Sequence, residues 1–535
     1  MFDFPTRTVR SRYLDGFLLL VALFGVALRL IHFAGARPLW HDEAMIALNL
    51  FRRSYHDLLL PLDYDQSAPV LWLVGTKFVI GLFGQGERAL RLIPLLAGIG
   101  SLALFGLAVR RSLDDVGAAL GLAFFALATP LVYYAAEAKQ YATDVLVFTV
   151  FLGLLAWRGQ GLLRSWGGVA LLAAAGAASV LLSRSAVFVL VGAGLALAVR
   201  PLRERDAGAL LRLAVIGAAW LLCFGAVTYL ATSDSGTLVT AMRHYWSEWF
   251  IPSRLFIPSR LVAALRIMLQ VPEGMGFPAA SAMLLLLLGL LGLYDTWQRS
   301  RVLALFLVLT LVGTVIASMA QLYPMTARFV LFLAPGMIYA LAAGVSFTLR
   351  MVPRLRWPVA GVVLLLLGLM GFETWAHLRV TPAFAREEID QSIADVLQHK
   401  RPDDLVYVYY AAVPAFQIYG QALATAPGGV VYGRDMRSDW SYMLADLRRI
   451  CGRRVWFLWS HPIDSNGVDD VRFFRFVAGK LGPVVEEDPS REAGAVLFDL
   501  TAAGRCDAMP IEEPERPWVP GHPGFRPLPP LPATG

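Results

Sequence analysis

Apolar runs of membrane-spanning length recur along this chain, and no other feature limits its fold so strongly. A helix needs about 20 apolar residues to cross a bilayer. Only 16% of the 535 residues are charged and 57% are apolar, which is far from the composition of an ordinary soluble protein. The runs lie at 14–33, 88–109, 115–134, 142–157, 167–183, 186–199, 213–231, 279–296, 302–320, 329–349 and 357–376. The sequence therefore predicts an α-helical polytopic membrane protein with about eleven transmembrane helices.

Basic residues are concentrated in every second loop, and this alternation predicts the orientation. They are Arg7, Arg10 and Arg12; Arg110 and Arg111; Arg158 and Arg164; Arg200, Arg203, Arg205 and Arg212; Arg299 and Arg301; and Arg350, Arg354 and Arg356. With eleven spans all of them lie on one side, so we expect a cytoplasmic N-terminus and a periplasmic or extracellular C-terminal region in the inner (cytoplasmic) membrane. The net charge of +7 is spread over short loops, and it predicts no nucleic-acid partner.

One apolar segment does not fit this alternation as a span. Residues 69–84 are apolar but short, and Lys77 lies in their middle. If they crossed the membrane, Arg110, Arg111 and every later basic loop would move to the outer side. A lysine at mid-bilayer also costs about 2.5–3.5 kcal/mol on insertion scales. We therefore expect 69–84 to be an interfacial helix within one long first outer loop, residues 34–87.

The composition changes sharply after the last apolar run. Strand-like and helical patterns alternate from 384 to 500, which predicts a small α/β domain. The predicted organisation is a transmembrane domain at 1–376, an extracytoplasmic α/β domain at 377–506 and a proline-rich disordered tail at 507–535. Cys451 and Cys506 both belong to the polar region, and the sequence leaves open whether they form a disulfide.

Under this topology the chemically interesting side chains lie in outer loops. The first outer loop holds His41, Asp42, Glu43 and Tyr64. Later outer segments add Glu137, Lys139, Gln140, Tyr141, Arg243 and Arg328. If the chain were helical from Glu137 onward, Glu137, Gln140, Tyr141 and Asp144 would share one face. An acid such as Asp144 within a span generally faces a polar cavity or a partner.

Each of these residues also has a structural explanation. Asp42 and Glu43 could begin a helix, where acids complement the helix dipole. Lys139 could be a snorkelling or paired lysine, and Arg328 could be an anchor at the membrane interface. Trp246 and Trp249 fit an aromatic belt better than a sugar-binding platform. No spacing of His, Cys and carboxylates marks a metal site, so none is predicted.

The outer segments together resemble one family, the GT-C membrane glycosyltransferases, in the branch similar to dolichyl-phosphate-mannose-protein mannosyltransferases and their bacterial relatives. The likeness covers about residues 10–350. The segments that carry it are Pro38-Leu-Trp-His-Asp42-Glu43; Ser67-Ala-Pro69 with Leu82-Phe-Gly84-Gln-Gly-Glu87-Arg88-Ala-Leu-Arg91; Tyr134 with Glu137-Ala-Lys139-Gln-Tyr141; and Tyr323-Pro with Arg328-Phe and Pro335. Lysine stands at 139 where the family usually has arginine, and Ala68-Pro69 replaces a Pro-Pro pair.

The resemblance implies a GT-C fold and an inverting transfer of one sugar from a polyprenyl-phosphate donor to an acceptor hydroxyl on the outer face of the membrane. Asp42 is the candidate general base, with Glu43 in a supporting role. Lys139 and Arg328, with Arg243 in reserve, would stabilise the departing lipid phosphate. Glu137, Gln140, Tyr141 and Tyr64 are expected to contact substrate. Some members of the family use a divalent cation and others do not. His41, Asp42, Glu43 and Glu137 could supply its ligands.

The sequence leaves several points open. The donor sugar, the polyprenol and the acceptor (lipid, glycan or protein) are not specified. A transporter or lipid flippase is the competing class, and it would show inverted repeats or helices interrupted at mid-membrane. Apart from a short echo of Ile-Pro-Ser-Arg-Leu-Phe near 251–261, no repeat is visible, and the charged segments gather on one predicted side.

Overall fold

Two units make up the described part of the chain. The computed structural model describes residues 12–231, 243, 245–434, 440–465, 468–490 and 492–502. The first unit, here called the membrane unit, contains the chain up to Gly35 together with Ala68–Ala383. The second, here called the sheet unit, contains Ala36–Ser67 and the chain from Phe384 onward. The predicted tail at 507–535 and Cys506 lie outside the described residues.

Long apolar helices dominate the membrane unit, and they make the protein a multi-pass membrane protein. Among the described residues eight helical segments are long and apolar enough to cross a bilayer, or nine if one bent pair counts as a span. They are Arg12–Ala34, Glu87–Ser112, Ala186–Glu204, Ala207–Tyr229, Ala279–Arg299, Arg301–Met319, Ala327–Met351 and Pro353–Leu378. The bent pair is Asp115–Leu127 with Thr129–Ala136, which meet at 58°.

All eleven predicted runs are helical. Eight correspond to the long segments and a ninth to the bent pair. The remaining two are helices of 17 residues, Tyr141–Trp157 and Trp166–Leu182, at the short end of the range that spans a bilayer. The segment predicted to lie at the interface forms a 14-residue helix, Val70–Phe83.

The helices are numbered in chain order. In the membrane unit they are α1 (Arg12–Ala34), α3 (Val70–Phe83), α4 (Glu87–Ser112), α5 (Asp115–Leu127), α6 (Thr129–Tyr133), α7 (Tyr141–Trp157), α8 (Trp166–Leu182), α9 (Ala186–Glu204), α10 (Ala207–Ala231), α11 (Pro258–Glu273), α12 (Ala282–Arg299), α13 (Arg301–Met319), α14 (Ala327–Val330), α15 (Ala334–Met351) and α16 (Arg356–Leu378). In the sheet unit they are α2 (His41–Arg52), α17 (Ile389–His399), α18 (Val413–Tyr419), α19 (Gln421–Ala424), α20 (Ser441–Ile450) and α21 (Asp470–Leu481).

Glycines allow two helices of the membrane unit to cross at close range. A Cβ on Gly292 of α12 would lie 1.7 Å from the Ala340 carbonyl oxygen of α15. A Cβ on Gly344 of α15 would lie 1.8 Å from the Leu288 carbonyl oxygen. Small residues let two helix backbones approach in this way. The close approach stabilises the helix pair through van der Waals packing, which acts in lipid, where there is no hydrophobic driving force. The crossing thus depends on the absence of side chains at these two positions.

The sheet unit contains a five-stranded mixed sheet, which confirms the small α/β domain. Its strands are β1 (Leu405–Val408), β2 (Val430–Tyr432), β3 (Arg454–Ser460), β6 (Val484–Ser490) and β7 (Ala493–Asp499), in the order β2-β1-β3-β7-β6. β1 pairs in parallel with β2 and β3, whereas β7 is antiparallel to β3 and β6. The strands β4 (Asp464–Ser465) and β5 (Val468–Asp469) form a separate hairpin.

Part of the predicted first outer loop belongs to the sheet unit. Residues 36–67, including α2, group with the C-terminal region, while Val70–Phe83 belongs to the membrane unit. Helix α2 packs against α18. The backbone N–H of Leu39 donates to the Tyr419 hydroxyl at 2.9 Å. The acidic pair is therefore built into the sheet unit.

Candidate functional site

The acidic pair lies in the first turn of α2. This helix begins at His41, directly before Asp42 and Glu43, and Trp40 at its N-cap contributes no side-chain hydrogen bond. Two carboxylates in the first turn complement the partial positive charge of the helix N-terminus. The structural explanation, that the two acids begin a helix and complement its dipole, therefore agrees with the observed geometry. It does not by itself distinguish the two acids.

Burial does distinguish them. Glu43 is fully buried, and its Oε2 lies 2.9 Å from Nη1 of Arg37, which is also buried. Two opposite charges removed from water in this way need each other, because breaking such a pair leaves an uncompensated buried charge. Asp42, one residue earlier, keeps partial access to solvent. Glu43 therefore has a structural partner, and Asp42 is the more accessible acid.

His41 joins the start of α2 to two residues from the C-terminal part of the chain. Its backbone N–H donates to Glu387 Oε2 at 3.0 Å, and its Nδ1 donates to the Ala411 carbonyl oxygen at 2.7 Å. Glu387 Oε1 in turn lies 2.8 Å from His461 Nδ1. The two imidazole rings stack with their centroids 4.5 Å apart and an angle of 5° between their planes.

A cation–π contact borders this cluster. The Arg386 guanidinium carbon lies 3.7 Å from the centroid of the Trp40 ring, and that ring also contacts His461 at 5.9 Å. A guanidinium over an indole face is the most favourable form of this interaction. It fixes the residue directly before α2.

Tyr64 is buried in the same unit. It packs with Met45 and Leu48 of α2, and its hydroxyl donates to Gln417 Oε1 at 3.1 Å. Burial raises the pKa of Tyr64 to about 12 despite the nearby Arg52, so the hydroxyl stays protonated and can donate. The φ angle of Tyr64 is 63°, in the left-handed region. Its assigned contact with substrate stays a prediction.

In the membrane unit the segment with Glu137, Lys139 and Gln140 precedes a helix. The condition of a helix from Glu137 is not met, because α7 begins at Tyr141 and Glu137 has extended backbone angles (φ −118°, ψ 134°). The Lys139 N–H donates to the Glu137 carbonyl oxygen at 2.7 Å, which makes a tight turn of this segment. Glu137, Lys139 and Gln140 are all buried. Only Tyr141 and Asp144 lie on the helix itself.

An aromatic cluster connects Tyr141 with Arg328. The Phe329 ring contacts the Tyr141 ring at 6.3 Å and the Trp246 ring at 5.4 Å. The Arg328 guanidinium carbon lies 5.1 Å from the centroid of the Trp246 ring. The Tyr323 hydroxyl donates to the Phe329 carbonyl oxygen at 2.7 Å, which holds this stretch in place. Tyr141 and Arg328, both predicted as site residues, are thus brought to one cluster.

Trp246 has a specific partner here. Trp246 was interpreted as an aromatic-belt residue, and the structure adds a second role. Its ring attracts the Arg328 guanidinium and orients it. Arg243 is exposed, and its Nε donates to the Gln321 carbonyl oxygen at 3.2 Å. The structure places Arg243 beside the loop that leads to Arg328.

Polar residues that the sequence did not single out surround Asp144. This buried acid has the hydroxyls of Ser183 and Ser185 and the charge of Arg184 as neighbours. The Thr143 hydroxyl has two carbonyl oxygens in reach of its one proton, that of Gln140 at 2.6 Å and that of Leu182 at 3.0 Å. The turn between α8 and α9 therefore provides the partners expected for Asp144. The run Ser-Arg-Ser between two apolar spans was the available signal.

The metal-ligand possibility finds little support. In the described parts of the chain the side chains of Asp395, His399 and Glu486 lie close enough together to hold one metal ion, and the residues of the acidic-pair segment form no such group. In that cluster His399 Nδ1 also lies 3.1 Å from the Asp395 carbonyl oxygen. No metal is assigned to either unit.

The sequence did not identify Arg37, Glu387 and His461. Arg37 lies six residues before Glu43 and was visible as a neighbouring basic residue, but its burial was not. Glu387 and His461 lie more than 340 residues from His41 in sequence, and no local pattern marks them.

The fold and these two groups of residues define a multi-pass helical membrane protein with a small mixed-sheet unit. No protein-family model and no curated protein match the chain. Solved structures similar to it include ArnT from Cupriavidus metallidurans in the apo state (14% identity, TM-score 0.48, covering 89% of this chain and 97% of that chain). The same protein bound to undecaprenyl phosphate matches at 16% identity with a TM-score of 0.46, covering 91% and 98%.

A third similar structure is the archaeal oligosaccharyltransferase AglB from Archaeoglobus fulgidus, in complex with an inhibitory peptide and a dolichol-phosphate. It matches at 12% identity with a TM-score of 0.49, covering 84% of this chain and 69% of that chain. Each of these likenesses has a TM-score below 0.5. They assign no residue and no substrate to this chain.

Proposed function

We propose that the protein is an inverting glycosyltransferase that moves one sugar from a polyprenyl-phosphate donor to an acceptor hydroxyl on the outer face of the cytoplasmic membrane. The observation that carries this proposal is the division of roles within the acidic pair. The buried Arg37 holds the Glu43 carboxylate, while Asp42 keeps access to solvent at a helix N-terminus. A general base has to reach its substrate, and Asp42 meets that requirement better than Glu43.

The proposed reaction balances without a further reactant. The Asp42 carboxylate takes the proton of the acceptor hydroxyl as the hydroxyl oxygen attacks the anomeric carbon of the donor. The bond between that carbon and the phosphate oxygen breaks on the opposite face. The bond electrons leave with the polyprenyl phosphate, and the configuration at the anomeric carbon inverts. A phosphate leaves without a strong acid if cations compensate its developing charge.

Lys139 and Arg328 are the proposed cations. Lys139 is buried, and Arg328 is oriented by Trp246. A guanidinium binds phosphate oxygens through a planar fork, whereas an ammonium acts as a point charge. Glu137, Gln140, Tyr141 and Tyr64 are proposed to contact the sugar or to hold these cations, with Arg243 as a further phosphate contact.

Replacing Asp42 tests the base directly. We expect Asp42→Asn to abolish sugar transfer without unfolding the protein, because the amide cannot accept the proton. The assay complements a strain that lacks the chain and measures its envelope glycolipids and glycans by mass spectrometry. Asp65→Asn is the matched control, since Asp65 is an exposed acid of the same segment. Near-normal transfer by purified Asp42→Asn would eliminate Asp42 as the base.

Replacing Arg328 tests the phosphate contact. We expect Arg328→Ala to weaken binding of undecaprenyl phosphate by about tenfold or more, because a charge-assisted hydrogen bond is lost, and Arg328→Lys to be intermediate. Binding is measured by native mass spectrometry of the purified protein. Arg301→Ala is the control, since Arg301 lies over Trp297 at 5.7 Å in a comparable pair. Unchanged affinity of Arg328→Ala would refute the assigned role.

One observation favours the alternative, a lipid transporter. The span formed by α5 and α6 is bent by 58°, and α6 carries Pro130 in its first turn. Interrupted helices are typical of transporters. A transporter would move a fluorescent polyprenyl phosphate from one leaflet of a proteoliposome membrane to the other with no acceptor present. We would expect Asp42→Asn to leave this movement unchanged. Lipid movement without sugar transfer would replace the proposed function by this alternative.

A further inference from the structure

The start of α2 lacks the local cap that helices of this kind usually have. The first N–H groups of a helix have no partner within the helix. Trp40 at the N-cap offers no side-chain hydrogen bond. Instead, the His41 N–H donates to Glu387 Oε2 at 3.0 Å, across 346 residues of sequence. A carboxylate is the preferred partner there, because it also complements the helix dipole.

Glu387 is itself held in a single orientation. It is 1% exposed. Its second oxygen, Oε1, accepts from His461 Nδ1 at 2.8 Å, and the His461 ring stacks on the His41 ring. His41, Glu387 and His461 therefore form a closed ring of contacts around the start of α2. The His41 ring is fixed further by the donation from its Nδ1 to the Ala411 carbonyl oxygen at 2.7 Å.

The backbone at His461 is unusual. Its φ angle is 54°, in the left-handed region that side chains with a Cβ disfavour. The His461 N–H donates to the Glu492 carbonyl oxygen at 3.2 Å, which holds the residue in this conformation. A non-glycine residue persists in this region when its surroundings determine it, and such residues are concentrated at functional sites. The free-energy cost of this backbone conformation is offset by the contacts it allows, because the imidazole both donates to Glu387 and stacks on His41.

We propose that Glu387, together with His461, is a positioning group for Asp42. The inference rests on the proposed function, because it assumes that Asp42 is the base. The carboxylate fixes the first N–H of α2, one residue before Asp42, and so sets where the Asp42 side chain leaves the helix. Small misplacements of a reacting group cost large factors in rate. Glu387 acts through His41 and is not itself a catalytic residue.

Substitution of Glu387 by glutamine keeps its size and one acceptor oxygen but removes the charge and one acceptor. We expect Glu387→Gln to speed hydrogen exchange of the peptide that covers 41–43 by about tenfold, since a charge-assisted hydrogen bond is weakened. We expect kcat to fall by about tenfold, with KM changed by less than about twofold. Glu388→Gln is the matched control, because the same charge is removed from the neighbouring, half-buried residue.

A second pair of variants guards against a simple folding defect. In His461→Asn the amide nitrogen can replace Nδ1 as a donor, and asparagine tolerates the left-handed region. In His461→Ala no donor remains. We expect His461→Asn to keep most of the activity and slow exchange at 41–43, whereas His461→Ala should resemble Glu387→Gln.

The measurements use the full chain in nanodiscs, with hydrogen exchange by mass spectrometry. Donor turnover is followed as release of polyprenyl phosphate from polyprenyl-phosphate glycosides extracted from the host membranes. Unchanged exchange at 41–43 in Glu387→Gln would overturn the proposal. Exchange that rises across β1 and β3 as well, with activity lost in proportion to folded protein, would overturn it in favour of a purely structural role. A local rise in a protein whose wild type transfers no sugar would overturn the assignment of Asp42 and leave the tie to α2 standing.

Discussion

At the scale of single residues, two adjacent acids have different surroundings. The sequence allowed Asp42 to be chosen as the base and Glu43 as a supporting residue, but only through resemblance and chemistry. The surroundings of the two acids differ because Glu43 is buried together with Arg37. Their side chains are 0% and 1% exposed, and no local sequence pattern reveals this burial. Likewise, Glu387 and His461 could not be predicted, because their partner His41 is hundreds of residues away.

The buried pair makes a prediction about stability. We expect Arg37→Met to destabilise the sheet unit by about 3–5 kcal/mol, since Glu43 would remain charged and buried without this partner. The double variant Arg37→Met/Glu43→Leu should recover much of the loss, because it removes both charges. Thermal unfolding in detergent measures the effect.

A more exposed ion pair in the same unit serves as the control. Arg53 and Asp63 are 3.0 Å apart, with side chains 18% and 37% exposed. Arg53→Met should cost about 1 kcal/mol or less, because exposed pairs contribute little. Equal losses for Arg37→Met and Arg53→Met would contradict the assignment of a special role to burial.

At the scale of elements, helices were predictable and the turns between them were not. Every apolar run is helical, since lipid leaves few other ways to satisfy backbone hydrogen bonds. The run predicted at 142–157 begins within one residue of α7, but the tight turn before it, in which the Lys139 N–H donates to the Glu137 carbonyl oxygen, was not predicted from spacing. The alternation of strand-like and helical patterns predicted from 384 to 500 contains the strands β1, β3 and β7.

The crossing of α12 and α15 gives a prediction at this scale. We expect Gly292→Ala to lower the thermal stability of the membrane unit, because its Cβ would overlap the Ala340 carbonyl oxygen. Overpacking of this kind typically costs about 1–3 kcal/mol. The control is Gly289→Ala on the same helix, where a Cβ meets no atom within 4 Å. A melting temperature for Gly292→Ala equal to that of Gly289→Ala would show that the helices can separate there without cost.

At the scale of the whole molecule, composition established the class of protein and the charge pattern predicted its orientation. The spans follow from apolar length, and the α/β character of the C-terminal region follows from alternating patterns. The sequence did not predict that residues 36–67 belong to the sheet unit, because this grouping depends on contacts between segments far apart in sequence. The sequence predicts a domain boundary after residue 376. In the structure the two units divide between Ala383 and Phe384.

The orientation can be measured with single cysteines. We expect Gln85→Cys, in the exposed turn after α3, to react with a membrane-impermeant maleimide in intact cells. Arg203→Cys, exposed in the last turn of α9, should react only after the membrane is opened. Both are placed in a chain with Cys223 replaced by serine. Protection of Gln85→Cys in intact cells would mean that α3 crosses the membrane and that the later loops are inverted.

The membership of residues 36–67 in the sheet unit has a consequence for the order in which the protein is completed. A ribosome makes α2 early but reaches Glu387 only after more than three hundred further residues. At about 5–20 residues per second, α2 waits for tens of seconds for its partners. Contacts of such long sequence separation form late. A nascent chain that is already threaded through the membrane should therefore stay inactive until its last domain folds, and a fragment beginning at 384 should lack the helix that its own Glu387 is built to hold.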